Sequence, residues 1–341
     1  MGRMYVAPWL AHLDLFGAAR VKSVCCAILS ALLAIGSIGA ASASTGPVPD
    51  GRFAQLRAQD LRVARVAYKL AIANGARCKP VLTPQPGFVL HRLEQYETAD
   101  RPEAARNFGL GRYVGVMAVI GGTPAAKAGL VAGDQLLSVN GHDLGEPVVD
   151  GDASRLSVER VQQILVAQMR RGAVTLRVSS TSGERDIRFV AEQGCPSNVE
   201  FIPDEEVNAW ADGTRVMISD GLLNRCTDDD LALVIGHEMA HNLLHHRHRL
   251  GAEGASLNTM LPLTPVGSAQ MRATEEEADR LAVSLATTAA YDLSGAERFI
   301  RGLVNQSTGV AATHPDLFRR LSLLRAAIAD AKRGEPGIIR G

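Results

Sequence analysis

Apolar residues recur at helical spacing in some stretches of the chain and alternate with polar residues in others. Residues 52–76 carry apolar side chains at every third or fourth position, which predicts an amphipathic helix of about six turns. Alternation over residues 114–120, and again near 174–179 and 186–190, predicts strands, and residues 157–170 between them predict a helix. The pattern therefore favours an α+β chain with separate helical and β-rich portions.

A further helix is predicted around residues 233–244, LVIGHEMAHNLL. Thr227, with Asp230 three residues later, has the sequence of a helix N-cap, and the acids that follow it suit the positive end of the helix dipole. Apolar residues at helical spacing complete the pattern. Whatever chemistry this stretch carries is expected on a rigid element.

His237, Glu238 and His241 form the pattern H-E-x-x-H within this helix. Residues four apart lie one above the other on a helix, so both imidazoles can reach one metal ion while Glu238 lies beside it. These residue types at this spacing indicate a zinc site with its own general base. The alternative is a surface helix that happens to carry two histidines and an acid.

A third metal ligand is expected from elsewhere in the chain. The longer motif H-E-x-x-H-x-x-G-x-x-H would place a histidine where Arg247 stands. Residues 273–285, ATEEEADRLAVSL, predict the start of a second helix on which Glu275 and Asp279 share a face. Glu275 would complete a set of two histidines and one glutamate that leaves a position for water, and Asp279 could accept the free N–H of a ligand histidine. Alternatively, these acids only stabilise a helix N-terminus.

Three segments together resemble the signatures of the HtpX-like and CAAX-prenyl-endopeptidase-like zinc metallopeptidases: GHEMAHNLLHHR, EEEADRLA and THPDLFRRLSLL. The resemblance runs from about Asn208 to the end of the chain. It implies a mostly helical, zincin-type (gluzincin) peptidase domain in which His237, His241 and Glu275 bind zinc and Glu238 is the general base. Membrane-embedded members carry several long apolar helices and this chain has at most one, so it resembles the soluble, exported branch.

The third signature adds two candidates. His314 could donate to the oxyanion or act as a regulatory fourth ligand, although a histidine followed by proline at a helix start is nearly as good an interpretation. Arg320 could pair with an acid near the site or simply face water.

Residues 80–194 form a second module. YVGVMAVIGGTPAAKAGLVAGDQLLSVNGHDL resembles a PDZ domain, a fold that captures an extended peptide or a C-terminus by strand addition beside a helix. Residues 98–107 are expected as a polar loop, and residues 108–111, FGLG, compete for the role of the binding loop. The candidate peptide-binding residues are Gly87, Phe88, Val89 and Leu90. The alternative is a module that only holds the protease together.

Composition excludes some classes of partner. The 36 basic and 36 acidic residues balance at a pI near 7.1, so no global field attracts nucleic acid or an anionic membrane. Aromatic residues make up 4% of the chain, too few for a base-stacking platform.

The first 44 residues are predicted to be an export signal. Arg20 and Lys22 precede an apolar run from Val24 to about Ala40, and small residues follow it, with cleavage expected before Ser44. The same run could instead remain as an N-terminal anchor. Either outcome predicts an exported protein in the periplasm or another extracytoplasmic space.

Three cysteines would remain after such cleavage. Cys78 and Cys195 flank the middle module, and in an oxidising compartment a disulfide between them would join its entry and its exit. This pairing is a hypothesis, with two unpaired small hydrophobic residues as its alternative. Cys226, just before the zinc helix, is expected to be buried and not a ligand.

Three further expectations concern the surroundings of the zinc helix. Residues 215–219 are predicted as a strand that, at a sheet edge beside the cleft, could pair with a substrate backbone, with core packing as the alternative. His245, His246 and His248 are expected to extend the zinc helix as a solvated end. Residues 251–273 are expected to be a loop, and a lid over the cleft is one hypothesis for its length.

The sequence thus predicts four segments: an export segment (1–44), a helix packing on the peptidase domain (45–79), a PDZ domain (80–194) inserted after that helix, and a zinc metallopeptidase domain (195–341). The predicted function is a metalloendopeptidase with one zinc ion per chain, which hydrolyses exported or misfolded proteins in protein quality control. Its PDZ domain would recognise substrate or a regulatory peptide. Two alternatives are a zinc-stabilised chaperone that does not cut its clients, and a zinc hydrolase acting on other bonds.

Overall fold

The structure is a computed structural model that describes residues 51–145, 151, 153–252, 265–304 and 317–333. The predicted export segment, His314 and most of the proposed lid lie outside these residues. None of the described helices combines the length and the apolar character that crossing a bilayer requires.

Helices and strands are labelled in chain order. The helices are α1 (Gly51–Ala73), α2 (Arg101–Phe108), α3 (Pro124–Lys127), α4 (Leu156–Met169), α5 (Asp220–Leu223), α6 (Asp228–Leu243), α7 (His246–Ala252), α8 (Pro265–Thr288), α9 (Ala296–Val304) and α10 (Leu317–Lys332). The strands are β1 (Thr83–Gln85), β2 (Phe88–His91), β3 (Val114–Val119), β4 (Gln135–Val139), β5 (His142–Asp143), β6 (Val174–Ser180), β7 (Gly183–Phe189), β8 (Glu192–Gly194), β9 (Val199–Ile202), β10 (Ala209–Ala211) and β11 (Val216–Ser219).

The middle module is an antiparallel sheet in the order β2-β3-β4-β6-β7, with β5 beside β4. Buried residues of these strands and of α4 form one hydrophobic cluster, as the alternating pattern predicts. Within the described chain β2 pairs only with β3, so its outer side is a sheet edge. The prediction of a loop at 98–107 was wrong, because α2 occupies most of it and packs Phe108 into an aromatic cluster with Phe53 of α1.

The second core is built from α1, α6 and α8 together with a small sheet in the order β10-β11-β9. As expected, α1 packs against the helix that carries the H-E-x-x-H pattern, since both contribute to this core. The strand predicted at 215–219 is β11, and of its two interpretations the structure supports core packing: β11 is buried and central, parallel to β9 and antiparallel to β10, so the edges of this sheet are β10 and β9. Strand β10 has only three residues, which is too short for an alternating apolar pattern to be recognised in the sequence.

Two short strands and a disulfide mark the place where the chain enters and leaves the middle module. Strands β1 and β8 pair antiparallel at the entry and exit of the middle module, and a disulfide between Cys78 and Cys195 lies beside them, as hypothesised from the sequence. A side chain on Gly194 would approach the backbone of Ala71 to 2.9 Å, so this glycine permits the junction to lie directly on α1. Cys226 is buried and forms no disulfide with another cysteine of the described ranges.

Two helix boundaries differ from the prediction. The zinc helix does not continue through the histidines at 245–248, because α6 ends at Leu243 and α7 begins at His246 after a left-handed residue, His245 (φ 53°). The second helix begins at Pro265 and not near Ala273. Part of the expected loop at 251–273 is therefore helical, and the acids at 275–277 lie well inside α8.

Candidate metal centre

Helix α6 is fixed at its N-terminus before it reaches the site. Thr227 and Asp230 form a capping box, in which each side chain accepts a hydrogen bond from the other's backbone N–H. Arg62 and Arg65 of α1 both bind Asp228 at 2.7 Å. Gly236 lets α6 approach α8 closely, since a β-carbon there would lie 3.3 Å from the backbone of Ala282. The helix therefore holds its histidines at a defined height against α8.

Three side chains converge between α6 and α8. The Nε2 atoms of His237 and His241 are 3.1 Å apart, and Glu275 places Oε2 3.3 Å from the first and Oε1 3.5 Å from the second. Within the described residues, these three form the group whose ligand atoms lie close enough together to hold a metal ion. The structure thus brings together all three residues that the sequence proposed as ligands.

The spacing of these atoms fits a zinc ion. Ligands at 2.0 to 2.2 Å from a tetrahedral centre are about 3.4 Å from one another, which is close to the three observed separations. Two imidazoles and a carboxylate are a donor set found in catalytic zinc sites, with a fourth position left for water. The side chains present therefore fit the metal that the sequence predicts.

His237 is supported from behind by a buried charged pair. Its Nδ1 lies 2.9 Å from Oδ1 of Asp279, and Arg320 of α10 donates to both oxygens of Asp279 at 3.0 Å. Burial alone would lower the pKa of His237, but hydrogen bonds to Asp279 and Glu275 outweigh it and raise this pKa to about 10. The site therefore attracts positive charge, which a divalent cation would supply.

His241 has a support of its own that the sequence analysis missed. His246 lies with its Nδ1 2.9 Å from Nδ1 of His241 and its Nε2 3.1 Å from Glu277, which Arg249 binds at 2.7 Å. The prediction of a solvated His246 was wrong, since only 1% of it is exposed. Burial lowers the pKa of His246 against the opposing effect of Glu277, so its ring is neutral near pH 7.

Glu238 lies beside the donor set. Burial raises the pKa of its carboxyl group to about 7, although His237 and Arg320 draw it down. The backbone N–H of Ala211, at the end of β10, donates a hydrogen bond to this carboxylate. A carboxylate with such a pKa can both accept and return a proton near neutral pH.

The other proposed site residues are the two candidates of the third signature and the four candidates for peptide binding. Arg320 pairs with Asp279 and not with water, and His314 lies outside the described residues. The proposed peptide-binding residues are the loop residue Gly87 and, on the edge strand β2, Phe88, Val89 and Leu90. The competing segment at 108–111 is elsewhere, with Phe108 in the aromatic cluster.

Strand β2 borders a cavity of about 790 Å³. Its lining includes β2 with the loop before it, and α4. Residues of α1, of β9 and of the turn between β10 and β11 also line it. The cavity is therefore shared between the middle module and the part of the chain that carries the metal centre.

Comparison with protein families agrees with both parts. Residues 180–264 and 250–328 match the model of peptidase family M48, and residues 115–178 match the model of a PDZ domain. No curated protein and no solved structure matches the chain.

A helix with H-E-x-x-H and a glutamate on a second helix, together with this match, define a metallopeptidase. The carboxy-terminal part of the chain thus matches a family of zinc metallopeptidases, and a match to a PDZ domain precedes it.

Proposed function

We propose that this protein is a zinc-dependent endopeptidase that cleaves exported, unfolded proteins, with His237, His241 and Glu275 as ligands and Glu238 as general base. The convergence of the three ligand atoms beside Glu238 carries the proposal. Zinc, when bound there, would supply Lewis-acid activation of water and of the peptide carbonyl. The chain's own residues supply the remaining chemistry.

Glu238 would move the protons of the reaction. Its carboxylate accepts a proton from the attacking water and then returns it to the leaving amine. The hydrogen bond from Ala211 holds the carboxylate toward the site, and the outer edge of β10 offers backbone groups with which an extended substrate can pair.

An extended, unfolded substrate suits both parts of the molecule. The edge of β2 beside α4 is the position at which we propose that a segment of substrate, or a regulatory peptide, adds as a further strand. Export is supported by the apolar run near the start of the chain and by the disulfide between Cys78 and Cys195, because disulfides persist in oxidising compartments such as the periplasm.

The decisive test is the Glu238→Gln variant. It should bind zinc like the parent protein but cleave unfolded casein about 100 to 10,000-fold more slowly, because amide and carboxyl have the same shape and only the carboxylate accepts a proton. Zinc content is measured by atomic absorption and cleavage by release of soluble peptides, with and without a chelator. The matched control is Glu184→Gln, an exposed glutamate on β7.

Undiminished proteolysis by pure Glu238→Gln protein would reject the assignment of the base. Parent protein that holds zinc and keeps casein from aggregating without cutting it would favour the chaperone alternative.

A further inference from the structure

The cavity beside β2 is lined on one side by a single face of α1. Leu56, Asp60, Ala64 and Ala67 lie four, four and three residues apart, so they form one stripe along the helix, and all four line the cavity. Asp60 is the polar member of this otherwise apolar stripe. Helix α1 precedes the region that matches a PDZ domain, so this wall is an addition to that domain.

Most charged groups that line the cavity are already paired. Arg215 binds Glu159 of α4 at 2.6 Å and Asp212 at 2.8 Å. Arg155, at the N-terminus of α4, forms an ion pair with Glu200 of β9. Each of these three acids in the lining therefore has an arginine partner.

Asp60 differs from these acids. Among the described residues its carboxylate forms no hydrogen bond and no ion pair, and burial raises its pKa to about 7, with Arg155 lowering it and Glu200 raising it. Oε1 of Glu200, on a side chain only 9% exposed, also has no hydrogen-bond partner in the described part of the chain. A buried carboxylate oxygen without a partner is costly, so Oε1 of Glu200 indicates a missing donor. The unpaired carboxylate of Asp60 belongs to a partly buried residue that lines the same cavity.

The charged side chains that line the cavity include one more acid than base, which suits the binding of a cation. Burial lowers the pKa of His91 to about 3, so this histidine is neutral. The four carboxylates, those of Asp60, Glu159, Glu200 and Asp212, face three guanidinium groups, those of Arg155, Arg170 and Arg215. Of these four acids, Asp60 is the one that forms no ion pair with an arginine among the residues that the structure describes, although Arg155 acts on it from a greater distance.

We propose that Asp60 is a specificity residue that selects peptides carrying a lysine or arginine side chain at one position of the strand added to β2. This proposal rests on the peptide groove proposed above. Alternate side chains of an added strand point to opposite faces, so every second residue of the peptide can face the α1 wall. An ammonium or guanidinium group there supplies the donors that Asp60 and Oε1 of Glu200 lack.

Peptide binding tests the proposal without depending on catalysis. The Glu238→Gln protein is titrated with fluorescein-labelled ten-residue peptides of valine, threonine and serine, in which lysine, norleucine or glutamate occupies each position in turn. At one position we expect lysine to lower Kd about tenfold or more relative to norleucine. Adding Asp60→Asn should remove this preference while leaving the Kd of the norleucine peptide within about twofold.

Two controls accompany the titration. Asp186→Asn, which removes an exposed acid on the opposite edge strand β7, should keep the preference for lysine. The norleucine peptide checks that the Asp60→Asn cavity is intact.

The other outcomes each reject the proposal in a distinct way. Peptides that bind without any preference for lysine, or a preference that survives Asp60→Asn, would reject the role of Asp60 and keep the groove. Equal loss of every peptide in Asp60→Asn would mean that Asp60 only shapes the cavity. Failure of all peptides to bind the Glu238→Gln protein would reject the groove as well, whereas cleavage of casein by the parent protein tests the metal centre separately.

Discussion

The two histidines of the metal centre are held by supports of different kinds. Behind His237 lies a charged pair, Asp279 and Arg320, whose side chains are 10% and 16% exposed. Behind His241 lies a neutral imidazole, that of His246, and the charged pair of that side, Glu277 and Arg249, lies further out with side chains 37% and 45% exposed. One support is ionic where it touches the ligand, and the other is ionic only at the surface.

This difference predicts different energetic roles. A carboxylate that accepts the N–H of a ligand histidine fixes its tautomer and makes it a stronger donor, and in a buried place its charge is little screened. A neutral imidazole orients the second ligand through one hydrogen bond, since His246 can accept from Nδ1 of His241 while donating from Nε2 to Glu277. Removing a charged side chain should therefore lower zinc affinity and stability most beside His237.

The largest effect is expected from Asp279→Ala. It leaves Arg320 buried without its bidentate partner and removes the acceptor for His237. We expect zinc affinity to fall about 10 to 100-fold and the free energy of unfolding to fall by about 3 to 5 kcal/mol. Competition with a chromogenic chelator measures the affinity, and denaturant unfolding of the metal-free protein measures the stability.

Asp279→Asn is the matched control for this change. Its amide oxygen can still accept from Nδ1 of His237, but it carries no charge for Arg320. Its zinc affinity should lie between those of the parent and Asp279→Ala. Parent-like affinity in Asp279→Ala would remove the basis for treating this side as the stronger support.

Asp279 could be predicted from the sequence because its place beside Glu275 depends only on the spacing of residues along a helix. Glu275 and Asp279 are one turn apart on any uninterrupted helix, whether it starts near Ala273, as predicted, or at Pro265, as found. The same holds for His237 and His241 on α6. Local periodicity therefore located the three proposed ligands and one support even where a helix boundary was wrong.

His246 could not be predicted in this way. On a continuous helix a residue five places beyond His241 lies about 140° around the axis, on a different face. The chain instead breaks after Leu243 and takes a left-handed conformation at His245, which turns His246 back toward His241. No glycine marks this break, and a non-glycine residue in that conformation leaves little signal in a sequence.

Contacts between distant parts of the chain were the other feature that the sequence could not predict. The pattern of alternating residues located β3, β6 and β7 of the PDZ domain, but not the three-residue strand β10 that forms the edge beside the metal centre. The environment of Asp60 depends on α4 and β9, which lie about a hundred residues or more away along the chain. Such a juxtaposition has no local pattern.

A smaller effect is expected from His246→Ala. The variant loses the hydrogen bond to His241 but leaves no charge buried, because Glu277 keeps Arg249 near the surface. We expect zinc affinity to fall about tenfold, at the lower end of the range for such supports. His246→Asn should recover most of the loss, since its carbonyl oxygen can accept from Nδ1 of His241. A loss in His246→Ala as large as that in Asp279→Ala would contradict the distinction between ionic and neutral support.

The smallest effect is expected from Arg249→Ala, the outermost change on the His241 side. Its ion pair with Glu277 is largely exposed, so water and salt screen it, and we expect at most about 1 kcal/mol of unfolding free energy and a zinc affinity within about twofold of the parent. Arg320→Ala is the matched change on the other side and should cost far more, because Asp279 would then be buried without its cation. Both variants are compared by chelator competition at low and at high salt, and only the small effect of Arg249→Ala should shrink as salt rises. Equal losses in the two variants would show that the surface pair supports its histidine as strongly as the buried one, and the two sides would then differ in position but not in strength.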